Sequence, residues 1–337
     1  MKACVYADLE TVEVLDIPQP EAGPDEVLIK VSRAGICGTD LHIFMGHMDQ
    51  RVTKPLVMGH EMCGKIVESP TGDFKVGDRV VVEPTVFCGH CAACLRGNMH
   101  VCQNLNFLGI DSAGAFQEYW NAPVDRLHRI PDSLSDNAAA MIEPMAVAVH
   151  DVRRAQVELG DQAVVIGGGP IGLLVAHAAR LDGAEVIISE VNKYRLKVAE
   201  ECGFKTVDPT QADLTEYVMD WTNGAGCDIV FEVSGSAAGA KVMTELLRVR
   251  GRVCLVGVHA SPPPVDLHRF FWRELDLIGC RVYQSVDFER AIRVAAEGLV
   301  DLESLVSKVV PYEEATWGFE QMRDGGDIVK VLIDCQS

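Results

Sequence analysis

The feature that most constrains this chain is the run Ala163-Val164-Val165-Ile166-Gly167-Gly168-Gly169-Pro170-Ile171-Gly172, which continues as an apolar stretch to residue 179. A membrane-spanning helix needs about 20 apolar residues without a break, and here four glycines and a proline interrupt. The run instead reads as a buried strand, a tight turn and a helix. Gly167 permits the turn, Gly169 lets the backbone approach a pyrophosphate, and Gly172 allows the helix to pack closely on the strand. The helix N-terminus, with Pro170 and Ile171 in its first turn, attracts the anion. A second strand, Val186-Ile187-Ile188-Ser189, ends in Glu190. A carboxylate there hydrogen-bonds adenosine ribose hydroxyls and repels a 2′-phosphate, so the reading favours NAD over NADP. Arg195, a few residues on, is a further candidate near the adenine end.

Around this motif, buried apolar strands alternate with helical stretches: 163–166 then 171–181, 185–189 then 193–201, followed by strands at 228–233, 253–258 and 275–279. Such alternation builds a parallel, doubly wound sheet. From residue 2 to about 149 the pattern is different. Short β-branched runs such as Glu26-Val27-Leu28-Ile29-Lys30-Val31 and Asp78-Arg79-Val80-Val81-Val82 are broken by Gly and Pro, which reads as a mostly β domain. The end of the chain mixes helix and strand, and its last strand, 328–333, could return to either domain. A length of 337 residues suits two domains at roughly 150 residues each. The short loop Glu68-Ser69-Pro70-Thr71-Gly72-Asp73 is expected at the surface.

Charge narrows the function classes. With 30 Lys and Arg against 49 Asp and Glu, the net charge is -19, which repels nucleic-acid phosphates and anionic lipid surfaces. No nucleic-acid or membrane partner is expected. The amino terminus lacks the apolar stretch of a secretory signal, so the cytoplasm is the expected compartment.

Four of the 12 cysteines fall in the pattern Cys88-x2-Cys91-x2-Cys94-x7-Cys102. Four thiolates so spaced wrap a tetrahedral cation and leave no open position, as in a structural zinc site. An iron–sulfur cluster takes the same donors; zinc is preferred because nothing else in the chain suggests electron relay. His90 lies between the ligands, but four cysteines complete the shell. Upstream, Gly35-Ile36-Cys37-Gly38-Thr39-Asp40-Leu41-His42 sets a cysteine on a tight turn, and Gly59-His60-Glu61-Met62-Cys63-Gly64 sets a histidine beside a glutamate. Taken alone, either residue is as readily a buried core side chain.

Together these motifs, in this order and with Glu143-Pro144 between them and the dinucleotide fold, resemble the zinc-dependent medium-chain alcohol and polyol dehydrogenases over nearly the whole chain. The resemblance implies an α/β architecture. A GroES-like, mostly-β catalytic domain would comprise residues 1–149 and 288–337, with a structural-zinc lobe at 85–105, and a Rossmann NAD-binding domain residues 150–287. It implies two zinc ions per chain and NAD. Cys37 and His60 match the first two catalytic zinc ligands, Glu61 is an exchanging ligand, and Glu143 falls where alcohol dehydrogenases have a second cysteine, as it does in sorbitol dehydrogenase and similar enzymes. Thr39 and His42 match a relay that carries the substrate proton to solvent through the cofactor ribose. Val256 and Val258 are further cofactor contacts. The zinc acts as a Lewis acid on the substrate oxygen while hydride passes to the nicotinamide.

The resemblance thus implies oxidation of a secondary alcohol of a polyol or sugar derivative to a ketone, in a dimer or tetramer. Arg281-Val282-Tyr283 is loosely similar to the Arg-Tyr pair by which sorbitol dehydrogenases hold hydroxyls, so Arg281 and Tyr283, with Phe44 near the zinc turn, are substrate-contact candidates. The alternatives are a threonine 3-dehydrogenase, whose relatives usually carry Asp-Pro where Glu143-Pro144 stands, and a butanediol-type dehydrogenase. A non-enzymatic binding protein on the same fold is a further rival.

Overall fold

In the computed structural model, which describes residues 1–70 and 72–337, the chain divides into two compact units. The first comprises Met1–Glu143 with Gln284–Ser337, and the second Pro144–Tyr283. Of the surface loop expected at 68–73, Thr71 lies outside the described residues.

The first unit is built on a seven-stranded sheet. Its order is Leu127–Arg129, Arg79–Val82, Glu61–Glu68, Glu26–Gly35, Lys330–Asp334 and Val306–Val310, with Tyr119–Pro123 also paired to Glu26–Gly35. Glu26–Gly35 is the hub. One edge pairs antiparallel with Glu61–Glu68, while the other edge is shared end to end. Residues 26–30 of that edge pair with Tyr119–Pro123, and residues 33–35 with Lys330–Asp334. The last strand of the chain therefore completes the sheet of the first unit. Its composition explains this: Val331, Leu332 and Ile333 are wholly buried, so it is a central strand in need of neighbours on both edges. The two-stranded ribbon Thr85–Val86 and Asn106–Phe107 closes the base of the cysteine-rich segment.

The second unit is a six-stranded parallel sheet in the order Lys205–Val207, Glu185–Ser189, Gln162–Ile166, Cys227–Glu232, Leu247–Leu255 and Asp276–Gly279. The strand order reverses between Gln162–Ile166 and Cys227–Glu232, which makes this crevice the topological switch point of a doubly wound sheet. Val164, Val165, Ile187, Ile188, Val230 and Phe231 are fully buried, as expected for strands covered by helices on both faces. Leu247–Leu255 begins earlier than the sequence pattern suggests. A register shift there carries Arg250 at φ +59° beside Gly251, so polar residues enter the strand and hide its start.

The glycine turn shows why its residues are small. Gly167 sits at φ +105°, and its N–H donates to the Ser189 carbonyl at 2.8 Å. A Cβ on Gly172 would lie 1.8 Å from the Gly167 carbonyl oxygen, so helix Pro170–Leu181 approaches its strand this closely only without a side chain. Gly172→Ala is expected to cost about 2 kcal/mol by overpacking, read as a lowered urea midpoint at unchanged m-value. An unchanged midpoint would show that the helix start relaxes freely.

Candidate active site

Helix Gly38–Phe44 begins with Cys37 as its N-cap. The backbone N–H of Cys37 donates to Asp40 Oδ2 at 2.9 Å, which locks the turn that presents the thiol. His60 precedes the strand Glu61–Glu68, and its ring packs edge-on against Phe107 at 5.2 Å. The strand pairing Gly35 with Glu61 brings these two segments together. As a result one ligand atom each from Cys37, His60 and Glu61 falls within a 4.8 Å cluster. Glu143, in the first turn of helix Ile142–Ala155, is outside that cluster although it is buried and its charge acts on His60.

Two residues without a role in the sequence reading surround this cluster. Asp40 is fully buried, with Oδ1 3.6 Å from His60 Nδ1, and neither atom has a hydrogen-bond partner among the described residues. A carboxylate behind an imidazole is the usual means of orienting a metal-binding histidine. Lys330, from the last strand, forms a buried ion pair with Glu61. A Cβ on Gly35 would fall 2.3 Å from Glu61 Oε2 and 2.9 Å from Lys330 Cε, so this glycine leaves room for the pair. Burial pushes the Cys37 and Asp40 groups up. Burial also opposes charge on His60 and Lys330, yet the surrounding acids outweigh it: Asp40 is the leading influence that raises His60, and Glu61 the one that raises Lys330.

Thiol, imidazole and carboxylate are zinc donors, and Asp40 and Glu61 are buried together with the Lys330 ammonium. The residues present fit a divalent cation of the zinc type.

Cys88, Cys91, Cys94 and Cys102 form a second cluster. Successive sulfur separations are 3.5 Å for Cys91 and Cys94, 3.8 Å for Cys91 and Cys102, and 3.5 Å for Cys88 and Cys102. A tetrahedron with metal–sulfur bonds of about 2.3 Å has edges of about 3.8 Å, so the cluster matches a closed tetrahedral site. Backbone N–H groups of His90 and Cys91 stabilise the Cys88 thiolate and hold its pKa down at about 6. His90 turns its ring to the Cys88 carbonyl at 2.8 Å and is not part of the cluster.

Thr39 and His42 share one face of helix Gly38–Phe44. His42 Nδ1 meets His47 Nδ1 at 3.4 Å, and burial, then His47, lowers the His42 pKa. Phe44 is buried in the core of the first unit, stacked on Phe319 at 5.1 Å. Tyr283 is likewise buried, whereas Arg281 is exposed. In the second unit the Glu190 carboxylate caps the glycine turn. Oε2 accepts from Gly168 N–H at 2.7 Å, and Oε1 from Val191 and Asn192 N–H at 2.7 and 2.8 Å. The Arg195 guanidinium lies beside Gly169, 3.7 Å from where its Cβ would be. Val256 N–H donates to the Glu232 carbonyl, and Val258 is exposed.

Residues 23–132 match the alcohol dehydrogenase GroES-like domain, and residues 170–297 match the zinc-binding dehydrogenase family. The chain is 45% identical to a 2-dehydro-3-deoxy-L-galactonate 5-dehydrogenase of Pseudoalteromonas atlantica, over 94% of this chain and 93% of that one. It is 36% identical to a sorbitol dehydrogenase of Halalkalibacterium halodurans, over 99% of each. A zinc-binding dehydrogenase of Sinorhizobium meliloti, solved with NADP bound, superposes with a TM-score of 0.93 at 32% identity, covering 99% of this chain and 98% of that one. The chain belongs to the zinc-dependent medium-chain alcohol and polyol dehydrogenases. It is an oxidoreductase acting on CH–OH groups, with a GroES-like domain, a Rossmann domain and a nicotinamide cofactor.

Replacing Lys330 with Met leaves the Glu61 charge buried without its partner, a change that costs about 3–5 kcal/mol in buried pairs. Chemical denaturation of Lys330→Met is expected to show a loss of that size, largely recovered in Glu61→Gln/Lys330→Met. A loss no larger than that of a surface substitution would mean that the pair is not buried in solution.

Proposed function

We propose that this enzyme oxidises a secondary hydroxyl of an open-chain sugar acid or related polyol to a ketone, with NAD as hydride acceptor. The observation that carries the reading is the cluster of Cys37 with the buried His60 and Glu61, backed by Asp40 and Lys330. The sugar-acid assignment is supported by the 45% identity to a dehydrogenase named for such a substrate. In this reading Cys37 and His60, with Glu61 and Glu143 as the carboxylate ligands, hold a catalytic zinc, and Cys88, Cys91, Cys94 and Cys102 hold a structural one. When bound, the zinc supplies a Lewis acid for the substrate oxygen and the nicotinamide supplies the hydride acceptor.

The chain's own groups do the rest. Asp40 orients the His60 ring, and Lys330 holds the Glu61 carboxylate in a buried ion pair. Thr39 accepts the substrate proton at its hydroxyl. His42, whose pKa is lowered by burial and then by His47, takes that proton onward toward solvent. Glu190, held rigidly by three backbone N–H groups, faces the adenosine ribose and disfavours a 2′-phosphate. Arg281 is the exposed member of the substrate-contact candidates.

The same reading makes the protein a cytoplasmic homo-oligomer, a dimer or a tetramer. All 12 cysteines are free thiols, which supports a reducing compartment. No helix among the described residues is long and apolar enough to cross a membrane. Phe271 and Trp272, each 75% exposed, precede the edge strand Asp276–Gly279 and support self-association through that edge.

The test is reduced-cofactor formation by zinc-loaded enzyme across sugar acids, polyols, sugar phosphates, butanediol and threonine, with NAD and with NADP. Turnover is expected on a sugar acid or polyol, with kcat/KM at least about tenfold higher for NAD. Turnover on threonine alone would overturn the substrate class, and equal efficiency with NADP would overturn the role of Glu190. Silence with every compound would favour a binding protein.

A further inference from the structure

Two thiols outside both metal clusters stand against each other in the second unit. Cys254 lies in the strand Leu247–Leu255, and Cys280 directly follows its neighbour Asp276–Gly279. Cys254 is opposite Ile278, and because side chains alternate along a strand, Cys280 returns to the face that carries Cys254. The Cys280 N–H donates to the Leu255 carbonyl at 3.1 Å, which fixes the approach, and the two sulfurs are 3.2 Å apart. A disulfide needs about 2.05 Å, so closure asks for a movement of roughly 1 Å.

The two thiols are not equivalent. Cys254 is wholly buried, while Cys280 is half-buried. The hydrogen bond from Cys254, followed by the Arg154 guanidinium, holds the Cys280 thiol below its ordinary pKa. The same hydrogen bond, then burial and Asp151, pushes Cys254 up. Arg154 is anchored beside the pair, with Nη2 3.4 Å from the Gly279 carbonyl. A half-buried thiol of lowered pKa in contact with a buried second thiol is an arrangement in which oxidation ends in a disulfide.

We propose that Cys254 and Cys280 form a reversible thiol–disulfide modification site that closes on exposure to a peroxide. The Cys280 thiolate attacks one peroxide oxygen: an S–O bond forms, the O–O bond breaks, and the departing hydroxide takes a proton from solvent to become water. Cys280 is then a sulfenic acid. The Cys254 sulfur attacks the Cys280 sulfur: the S–S bond forms, the S–O bond breaks, and the leaving hydroxide takes the Cys254 proton as a second water. Two thiols have lost two electrons and the peroxide has gained them, and a dithiol reductant reverses the change.

Beyond Leu255 the chain runs through Val256 and Gly257, whose N–H groups both donate to the Glu232 carbonyl, at 2.9 and 2.8 Å. Tying Cys254 to Cys280 pulls on this turn at the carboxyl end of the sheet, the end at which dinucleotides bind in such folds. Oxidation therefore weakens nicotinamide binding, a consequence that rests on the proposed cofactor reading, whereas the cross-link does not.

The full-length, zinc-loaded protein is reduced, treated with equimolar hydrogen peroxide, alkylated and digested without reductant for mass spectrometry. The expected result is a peptide pair joined through Cys254 and Cys280 and lighter by two hydrogens, lost on dithiothreitol treatment and absent in Cys280→Ser. In Cys254→Ser, Cys280 is expected to persist as a sulfenic acid trapped by dimedone. A link between two copies, Cys280 sulfinic acid without a link, or loss of the Cys88 to Cys102 thiols alone would overturn the proposal. NADH titration of the oxidised protein is expected to give a Kd at least threefold above that of the reduced protein. Equal Kd values would overturn the coupling to the cofactor, and absence of NADH binding by the reduced protein would instead count against the cofactor reading.

Discussion

Three carboxyl groups and the Lys330 ammonium are buried around His60, beside the partly exposed Cys37 thiol, and much of the first unit serves to make that tolerable. Asp40, Glu61 and Glu143, if all were charged, would repel one another in a low-dielectric interior, where an unmatched charge costs several kcal/mol. Lys330 supplies one compensating charge, and the proposed zinc would supply the other. Lys330 comes from the last strand of the chain and Cys37 from near its start, so the centre is complete only when Lys330–Asp334 has paired with Glu26–Gly35. Gly35 at that pairing leaves the space in which the ammonium meets the carboxylate. Sheet topology and site chemistry are in this sense one constraint.

The second unit solves a milder problem by the same means. Glu190 is nearly buried, and it is stabilised by three backbone N–H groups rather than by a cation. One of them belongs to Gly168, so the acid proposed to face the ribose also shapes the glycine turn. The turn, the helix start at Pro170 and the acid are thus held together on regular elements, as the proposed cofactor site requires.

What was legible in the sequence was what is local in the chain. The glycine turn, the four-cysteine lobe and the alternating strands each declare themselves within a few residues, because their spacing is their function. Helix Lys193–Glu201 and strand Glu185–Ser189 have the bounds that the apolar pattern suggests. Lys330 was invisible as a site residue because its partner is 269 positions away and only the sheet order joins them. Asp40 stood inside a quoted motif, but its role depends on a strand pairing that brings His60 to it. Phe44 illustrates the converse: nearness to Cys37 in the chain suggested a pocket, whereas the helix turns its ring inward onto Phe319. The Cys254 and Cys280 pair is a product of parallel strand register, which composition does not reveal.

The most direct test of the central claim is zinc K-edge X-ray absorption on the purified protein together with its Cys37→Ser and Cys88→Ser variants, with zinc counted by elemental analysis. The account predicts two zinc ions per chain: one in a four-sulfur shell, lost in Cys88→Ser, and one with a single sulfur among nitrogen and oxygen donors, lost in Cys37→Ser. A single zinc, confined to the four-sulfur shell in the unaltered protein, would contradict it.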